Sequence, residues 1–135
     1  MAHIPENFND LLEGPVVVAL VTVMPNGQPQ ATPVWCNYDG THILVNTARG
    51  RQKDRNLRAN PRVTILAIDP KNPYRFLEVR GRVAGSTEDG AVDHINQLSE
   101  LYTGNPDYYS GSPNLPSQET RVIYKITPEH VNARG

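Results

Sequence analysis

Runs of β-branched residues, each broken after a few positions by Gly, Pro, Asn or Asp, fill most of the chain before residue 87, and no βαβ rhythm joins them. Such a chain is poorly suited to a layered parallel sheet and points to an antiparallel barrel or closed sheet with short turns. Val16–Val23 is uninterrupted and β-branched, the pattern of a strand buried on both faces. Pro25-Asn26-Gly27-Gln28 turns the chain back through Gln30–Tyr38, where Pro33 requires an edge position or an irregularity because proline cannot donate to a ladder. Asp39-Gly40 is a two-residue hairpin signal leading into Thr41–Thr47. Val63–Ile68 is a further strand, and Asp69–Pro73, with its two prolines, is a loop. From Tyr74 to Val83 the residues Phe76, Glu78, Arg80 and Arg82 alternate with Leu77, Val79, Gly81 and Val83, the period of a strand with one buried face. Gly81 at its middle marks a bulge or the close approach of something flat. Arg121–Ile126 is the sixth strand, and Pro128 is expected to stop it.

Three helical segments fit around these strands. Phe8, Leu11 and Leu12 have the spacing of a short amphipathic helix. The principal helix begins near Thr87 and Asp89 and points Ala91, Ile95, Leu98 and Tyr102 inward. A third segment, Gln52–Ala59, is helix-tolerant. Residues 103–118 are rich in Gly, Pro, Ser and Asn, a length that in a compact domain goes with function or disorder. At 135 residues the chain makes one domain with one core, 1–135, and a barrel of this size offers a ligand its rim or the space between two copies. No apolar run is long enough to span a membrane, and the opening residues, with no basic segment followed by an apolar one, are not expected to direct secretion. Cys36 alone excludes an internal disulfide and fits a buried thiol in a reducing, cytoplasmic setting.

Positive charge is concentrated in one place. Asn46–Arg62 carries six of the thirteen Lys and Arg residues, against the single acid Asp54, in a chain of net charge -1. Two readings stand: a solvated basic helix, with Asp54 and Arg58 as a favourable i,i+4 pair, or an anion site. A helix containing both Arg51 and Arg55 would set like charges at i,i+4, and a bound anion would relieve them. If both Arg51 and Lys53 were helical they would point apart, so Arg51 is expected in the turn after Gly50 and Lys53 in the first helical turn. Phosphate suits such a turn, although the stretch is not the Gly-rich loop of nucleotide hydrolases. One basic patch without interleaved aromatics gives no case for nucleic acid.

Acid–base and metal chemistry have little to work with. The carboxylates Asp39, Asp54, Asp69, Glu78, Glu88 and Asp89 sit where solvation explains them, and His3, His42, His94 and His130 are scattered without metal-ligand spacing. Cys36 has no His partner in sequence. No catalytic side chain and no metal ligand is expected, and a phosphate anchor with aromatics suits a cofactor that carries the chemistry itself. Trp35 serves equally as core, as a dimer contact or as a wall for such a ring.

The Asp39-Gly40 hairpin, Asn46-Thr47, Gly50–Leu57, Asn60–Val63, Asp69–Phe76 and Glu78–Val83 together make the chain resemble the pyridoxamine-phosphate-oxidase-like, FMN-binding split-barrel flavin proteins. Within them it is most similar to the deazaflavin-dependent branch, which uses F420 in place of FMN. The resemblance spans Leu12 to about Val131. It implies a β-rich, six-stranded antiparallel split β-barrel with peripheral helices, forming a homodimer with cofactor clefts between subunits. By the same resemblance Arg51 and Lys53 hold the cofactor phosphate, with Asn46, Thr47, Ala48 and Asn56 beside it. Pro33, Val34 and Trp35 lie along the ring, and Tyr74, Arg75 and Phe76 reach in from the second subunit. The family's true vitamin B6 oxidases are longer and carry more basic residues near the carboxyl end, where this chain offers only Arg121 and Lys125. The reaction implied is hydride transfer from reduced F420 to a small planar conjugated substrate. FMN in the same cleft, or a carrier that binds a flavin without turnover, are the alternatives.

Overall fold

The structure is a computed structural model and describes residues 2–135. Its elements run in the order α1 (Asp10–Glu13), β1 (Val18–Val23), β2 (Pro29–Val34), β3 (Cys36–Tyr38), β4 (Ile43–Ala48), α2 (Gln52–Ala59), β5 (Arg62–Ile68), β6 (Phe76–Thr87), α3 (Ala91–Thr103) and β7 (Arg121–Arg134). All pairings are antiparallel, and the strands lie in the order β2-β1-β5-β6-β7-β4-β3. The two edge strands are neighbours in the chain, separated only by Trp35. A sheet whose opposite edges are joined by one residue has to curl until those edges come together, which makes it an open half-barrel, split where Trp35 sits.

That split accounts for the count of strands. The run expected as one strand from Gln30 to Tyr38 is two, because the chain leaves one edge of the sheet at Val34 and rejoins the other at Cys36. Pro33 lies on the exposed edge strand as expected, opposite Ala19, where a missing N–H leaves no inner ladder broken.

Two expectations about the long strands need correction. β1 is buried on one face only: Val18, Leu20 and Thr22 point into the core, while Val17 beside them is 55% exposed. Pro128 does not end β7, which continues to Arg134. The register slips there, Arg80 facing His130 and Gly81 facing Pro128, so Glu129 is an extra residue in the ladder. At such a bulge a residue without an N–H is tolerated. Gly81 is the other half of this arrangement. A Cβ at that position would lie 2.3 Å from the Thr127 carbonyl oxygen, so the close approach foreseen there is by backbone.

The core lies inside the curl, filled by residues such as Leu20, Ile43, Ile65, Leu77, Tyr124 and Ile126 and closed by Phe8, Leu11 and Leu12. Cys36 is buried in it, and burial pushes its thiol up to about 12, an unreactive state. Residues 103–118 are not a loose loop: Tyr108, Tyr109 and Leu115 pack on Trp35, Tyr102, Ile95 and Leu98 as a second apolar cluster. Among the described residues no helix is long and apolar enough to cross a membrane.

Candidate functional site

The turn between β4 and α2 is built around a buried acid. Asp54 is fully enclosed, and its Oδ1 accepts from the Tyr124 hydroxyl at 2.6 Å and from Arg49 at 3.1 Å. Its Oδ2 accepts from the Gly50 N–H and from Arg58, both at 2.9 Å. Burial by itself would raise the pKa; the Tyr124, Gly50 and Arg49 hydrogen bonds and the Arg58 charge outweigh it, so the carboxyl stays below its ordinary value. The expectation of a solvated Asp54 is therefore wrong, although its pair with Arg58 is present. Gly50 turns with φ of 89°, which only glycine adopts easily, and Arg55 donates back to the Gly50 carbonyl. Arg51 is left extended as the N-cap residue of α2, and Lys53 falls in the first turn, the placement foreseen from their divergence.

Both cations project toward a cavity of ≈ 370 Å³, within the range of roughly 300–1,000 Å³ usual for small-molecule sites. Val17, Pro33, Val34 and Trp35 form one wall, and Ile95, Leu98 and Tyr108 belong to the other. Asn46, Arg51, Lys53 and Arg121 supply the polar groups. Trp35 stacks on Tyr102, with centroids 5.3 Å apart and planes 16° apart, and meets Tyr108 edge-on at 6.0 Å. The Tyr102 hydroxyl donates to the Val16 carbonyl at 2.8 Å and accepts from the Cys36 N–H at 3.1 Å, which clamps the split of the barrel on either side of Trp35.

The cavity carries a surplus of positive charge. Arg51 and Arg121 share one carboxylate, Glu119, which takes Arg121 at 3.0 Å and Arg51 at 3.4 Å while accepting the Tyr109 hydroxyl at 2.7 Å. Lys53 has no ion-pair partner among the described residues, and burial, then the Arg51 and Arg121 charges, hold its pKa below the ordinary value. Like charges crowded into a half-buried slot are unfavourable until an anion arrives.

Of the expected site residues, Pro33, Val34, Trp35, Asn46, Arg51 and Lys53 line this one cavity. Thr47 and Ala48 are buried and do not line it. Asn56 turns inward, donating to Thr22 at 3.0 Å and accepting from Gln52 at 2.7 Å, and so ties α2 to β1. Tyr74 is 85% exposed, Phe76 is half-buried, and Arg75 is held by Asp10 and Asp69 and lies 4.8 Å over the Phe8 ring; none of the three lines the cavity. Sequence reading missed the parts played by Arg121, His94, Glu119 and Tyr108. For His94 a signal existed: it occupies the inward spacing of α3 between Ala91 and Ile95, where a polar side chain needs a reason.

A curled antiparallel half-barrel with a cationic, aromatic-walled slot beside its split defines the split-barrel class. The sequence model described as pyridoxamine 5'-phosphate oxidase matches residues 4–135, and the chain belongs to that family. Among solved structures it is similar to one called an F420 reductase, at 36% identity and a TM-score of 0.82, covering 96% of this chain and 98% of that one. A conserved hypothetical protein from Mycobacterium tuberculosis matches at 26% identity and TM-score 0.76, over 99% of this chain and 86% of its own. HutZ, the heme storage protein from Vibrio cholerae, shares the fold at 15% identity and TM-score 0.67, over 99% and 96% of the two chains.

Proposed function

We propose that this protein is an oxidoreductase that holds the phosphorylated deazaflavin F420 in the slot and serves hydride transfer to a small planar conjugated substrate. The observation that carries the reading is the convergence of Arg51, Lys53 and Arg121 on a cavity walled by Trp35, Tyr108 and aliphatic side chains, where among the described residues Glu119 alone pairs with two of the three cations and none pairs with Lys53. A phosphate would take up the unbalanced charge, and the walls match a flat ring system. When bound, such a cofactor supplies the hydride. Arg51 and Lys53 hold the phosphate end, and the backbone of Pro33, Val34 and Trp35 runs along the ring. Ile95, Leu98 and Tyr108 keep water from the far side. The 36% identity to an F420 reductase over nearly the whole of both chains favours F420 over FMN. Both cofactors carry a phosphate at the end of the ribityl chain, so the anchor itself serves either.

The test is anaerobic mixing of purified protein with reduced F420 or reduced FMN and a panel of quinones and other conjugated acceptors, followed by absorbance. Acceptor-dependent oxidation faster with F420 than with FMN is expected. Tight binding of either cofactor with no acceptor reduced above the protein-free rate would make the protein a carrier instead.

The same reading includes a two-fold homodimer. An apolar groove on the outer face of β1, β2 and β5 contains Val17, Ala31, Pro33, Leu66 and Ile68, with Val17 55% and Ile68 46% exposed, and it shares Val17 and Pro33 with the cofactor slot. A second copy covering it would supply the missing burial of β1, and the family resemblance would have Tyr74–Phe76 of that copy reach the slot. Sedimentation at micromolar concentration is expected to give twice the chain mass; a monomer with normal cofactor affinity would contradict it.

A further inference from the structure

Arg121 opens β7 and is only 4% exposed, yet it lines the cavity. Its Nε–H donates to Oδ1 of Asn46 at 2.8 Å, one Nη1 donates to Glu119 at 3.0 Å, and the guanidinium lies 5.2 Å from the Tyr108 ring centre. A guanidinium carries five N–H groups, so these contacts fix its plane and leave Nη2 without a protein acceptor among the described residues.

What fixes Arg121 is fixed in turn. Asn46 Nδ2 donates to the Ala91 carbonyl at 2.8 Å and meets Nδ1 of His94 at 3.0 Å. A flipped amide would set its nitrogen against the Arg121 donor and its oxygen against a carbonyl, so one orientation satisfies all three neighbours. His94 must then present a bare Nδ1, and its Nε2–H donates to Asn37 Oδ1 at 2.7 Å. The ring is thus neutral with its proton on Nε2. Burial, then the Arg121 charge, depresses its pKa to about 4, and no other charge acts appreciably on it. Protonation of Nδ1 would turn a donor toward a donor and undo the chain from His94 through Asn46 to Arg121.

We propose that Arg121 is a third ligand of the anionic end of the bound molecule and that neutral His94, acting through Asn46, is its positioning residue. This rests on the assignment of the cavity to a phosphorylated ligand. Oxygen-rich anions are the class it selects, because a guanidinium held by two fixed bonds offers its remaining N–H groups in a set direction.

The experiment has two arms. In the first, FMN and riboflavin are titrated against wild type, Arg121→Lys, His94→Leu and His94→Asn, with melting temperatures confirming folding. The preference for FMN over riboflavin is expected to fall about ten-fold in Arg121→Lys and His94→Leu, and to stay within about two-fold of wild type in His94→Asn, which restores an acceptor toward Asn46. The second arm needs no ligand: the His94 imidazole is followed by NMR in wild type and Asn46→Asp. Wild type should titrate near 4, and Asn46→Asp, which replaces a donor with a carboxylate, should move the ring above its ordinary 6.5. An imidazole that titrates near 6.5 in wild type, or is unmoved by Asn46→Asp, overturns the relay. Undiminished FMN preference in Arg121→Lys and His94→Leu overturns the inference while leaving the phosphate reading intact. A wild type indifferent to the phosphate defeats that reading and Arg121's role with it.

Discussion

Gly81→Val is expected to yield little soluble folded protein, and Gly81→Ala to unfold nearly as easily. Any Cβ at this position lies 2.3 Å from the Thr127 carbonyl oxygen and 3.2 Å from a methyl of Ile126. The obstacle is backbone, held between β6 and β7 at the bulge, so it cannot swing aside as a side-chain tip would. Forcing extra atoms into a packed interior typically costs 1–3 kcal/mol and sometimes more; here about 3 kcal/mol is expected for alanine, roughly a 10 °C fall in melting temperature. Restoring a side chain to a strand glycine would otherwise help by about 0.5–1 kcal/mol, so even the sign of the change is diagnostic. If the glycine only made room for a ligand ring, Gly81→Ala would melt like wild type and lose affinity alone. Thermal melts of the ligand-free alanine variant separate the two cases.

Asp54→Ala is expected to lose about 3–5 kcal/mol, the usual cost of removing one partner from a buried ionic cluster. The Gly50 N–H would lose its acceptor, and the Tyr124 hydroxyl and Arg49 would each lose their carboxylate partner. Asp54→Asn keeps the shape but has a single acceptor oxygen where donors meet both, so it should lose much of the same stability. Arg58→Ala, which removes a half-exposed i,i+4 partner, should cost only about 0.2–0.5 kcal/mol. The pH dependence has a definite sign. The folded carboxyl is held below its ordinary 3.8, so its contribution is complete above that value and is lost as pH falls through the lowered one. Urea denaturation should therefore give the full difference between wild type and Asp54→Asn at pH 7, and a smaller one near pH 3. Equal stability of the two proteins at pH 7 would mean that the buried cluster holds nothing together.

Much of the architecture could be read from residue patterns, because an alternating strand announces its faces and a turn its special residues. The Asp39-Gly40 hairpin, the alternation after Phe76 and the inward row of α3 are local in origin and appear in place. The misreadings are all cases where a distant partner decides. Gln30–Tyr38 looks like one strand, and only closure of the sheet at Trp35 divides it. Pro128 stops a regular strand, yet a bulge against Gly81 excuses it from donating. Val16–Val23 is apolar on both faces apart from Thr22, and composition alone cannot distinguish its exposed outer face at Val17 from a buried one. The site divides in the same way. Arg51 and Lys53 were legible through local charge and helix geometry, whereas Asp54, Glu119, His94 and Arg121 acquire their roles from contacts spanning up to 75 positions in the chain.

Arg51 and Lys53 are proposed to anchor a phosphate. The measurement is a set of equilibrium titrations of wild type, Arg51→Ala, Lys53→Ala and Arg58→Ala with F420, FMN and riboflavin. A charge-assisted hydrogen bond to phosphate is commonly worth roughly 1.5–3 kcal/mol, so each of the first two substitutions should weaken F420 and FMN about ten- to a hundred-fold while leaving riboflavin unchanged. Arg58→Ala should bind all three ligands as wild type does. Lys53→Ala should be at least as stable as wild type, because Lys53 sits half-buried among like charges with no ion-pair partner among the described residues. Equal affinities for all three ligands across all four proteins would contradict the account, and the cationic slot would then be a solvated surface with no part in holding a cofactor.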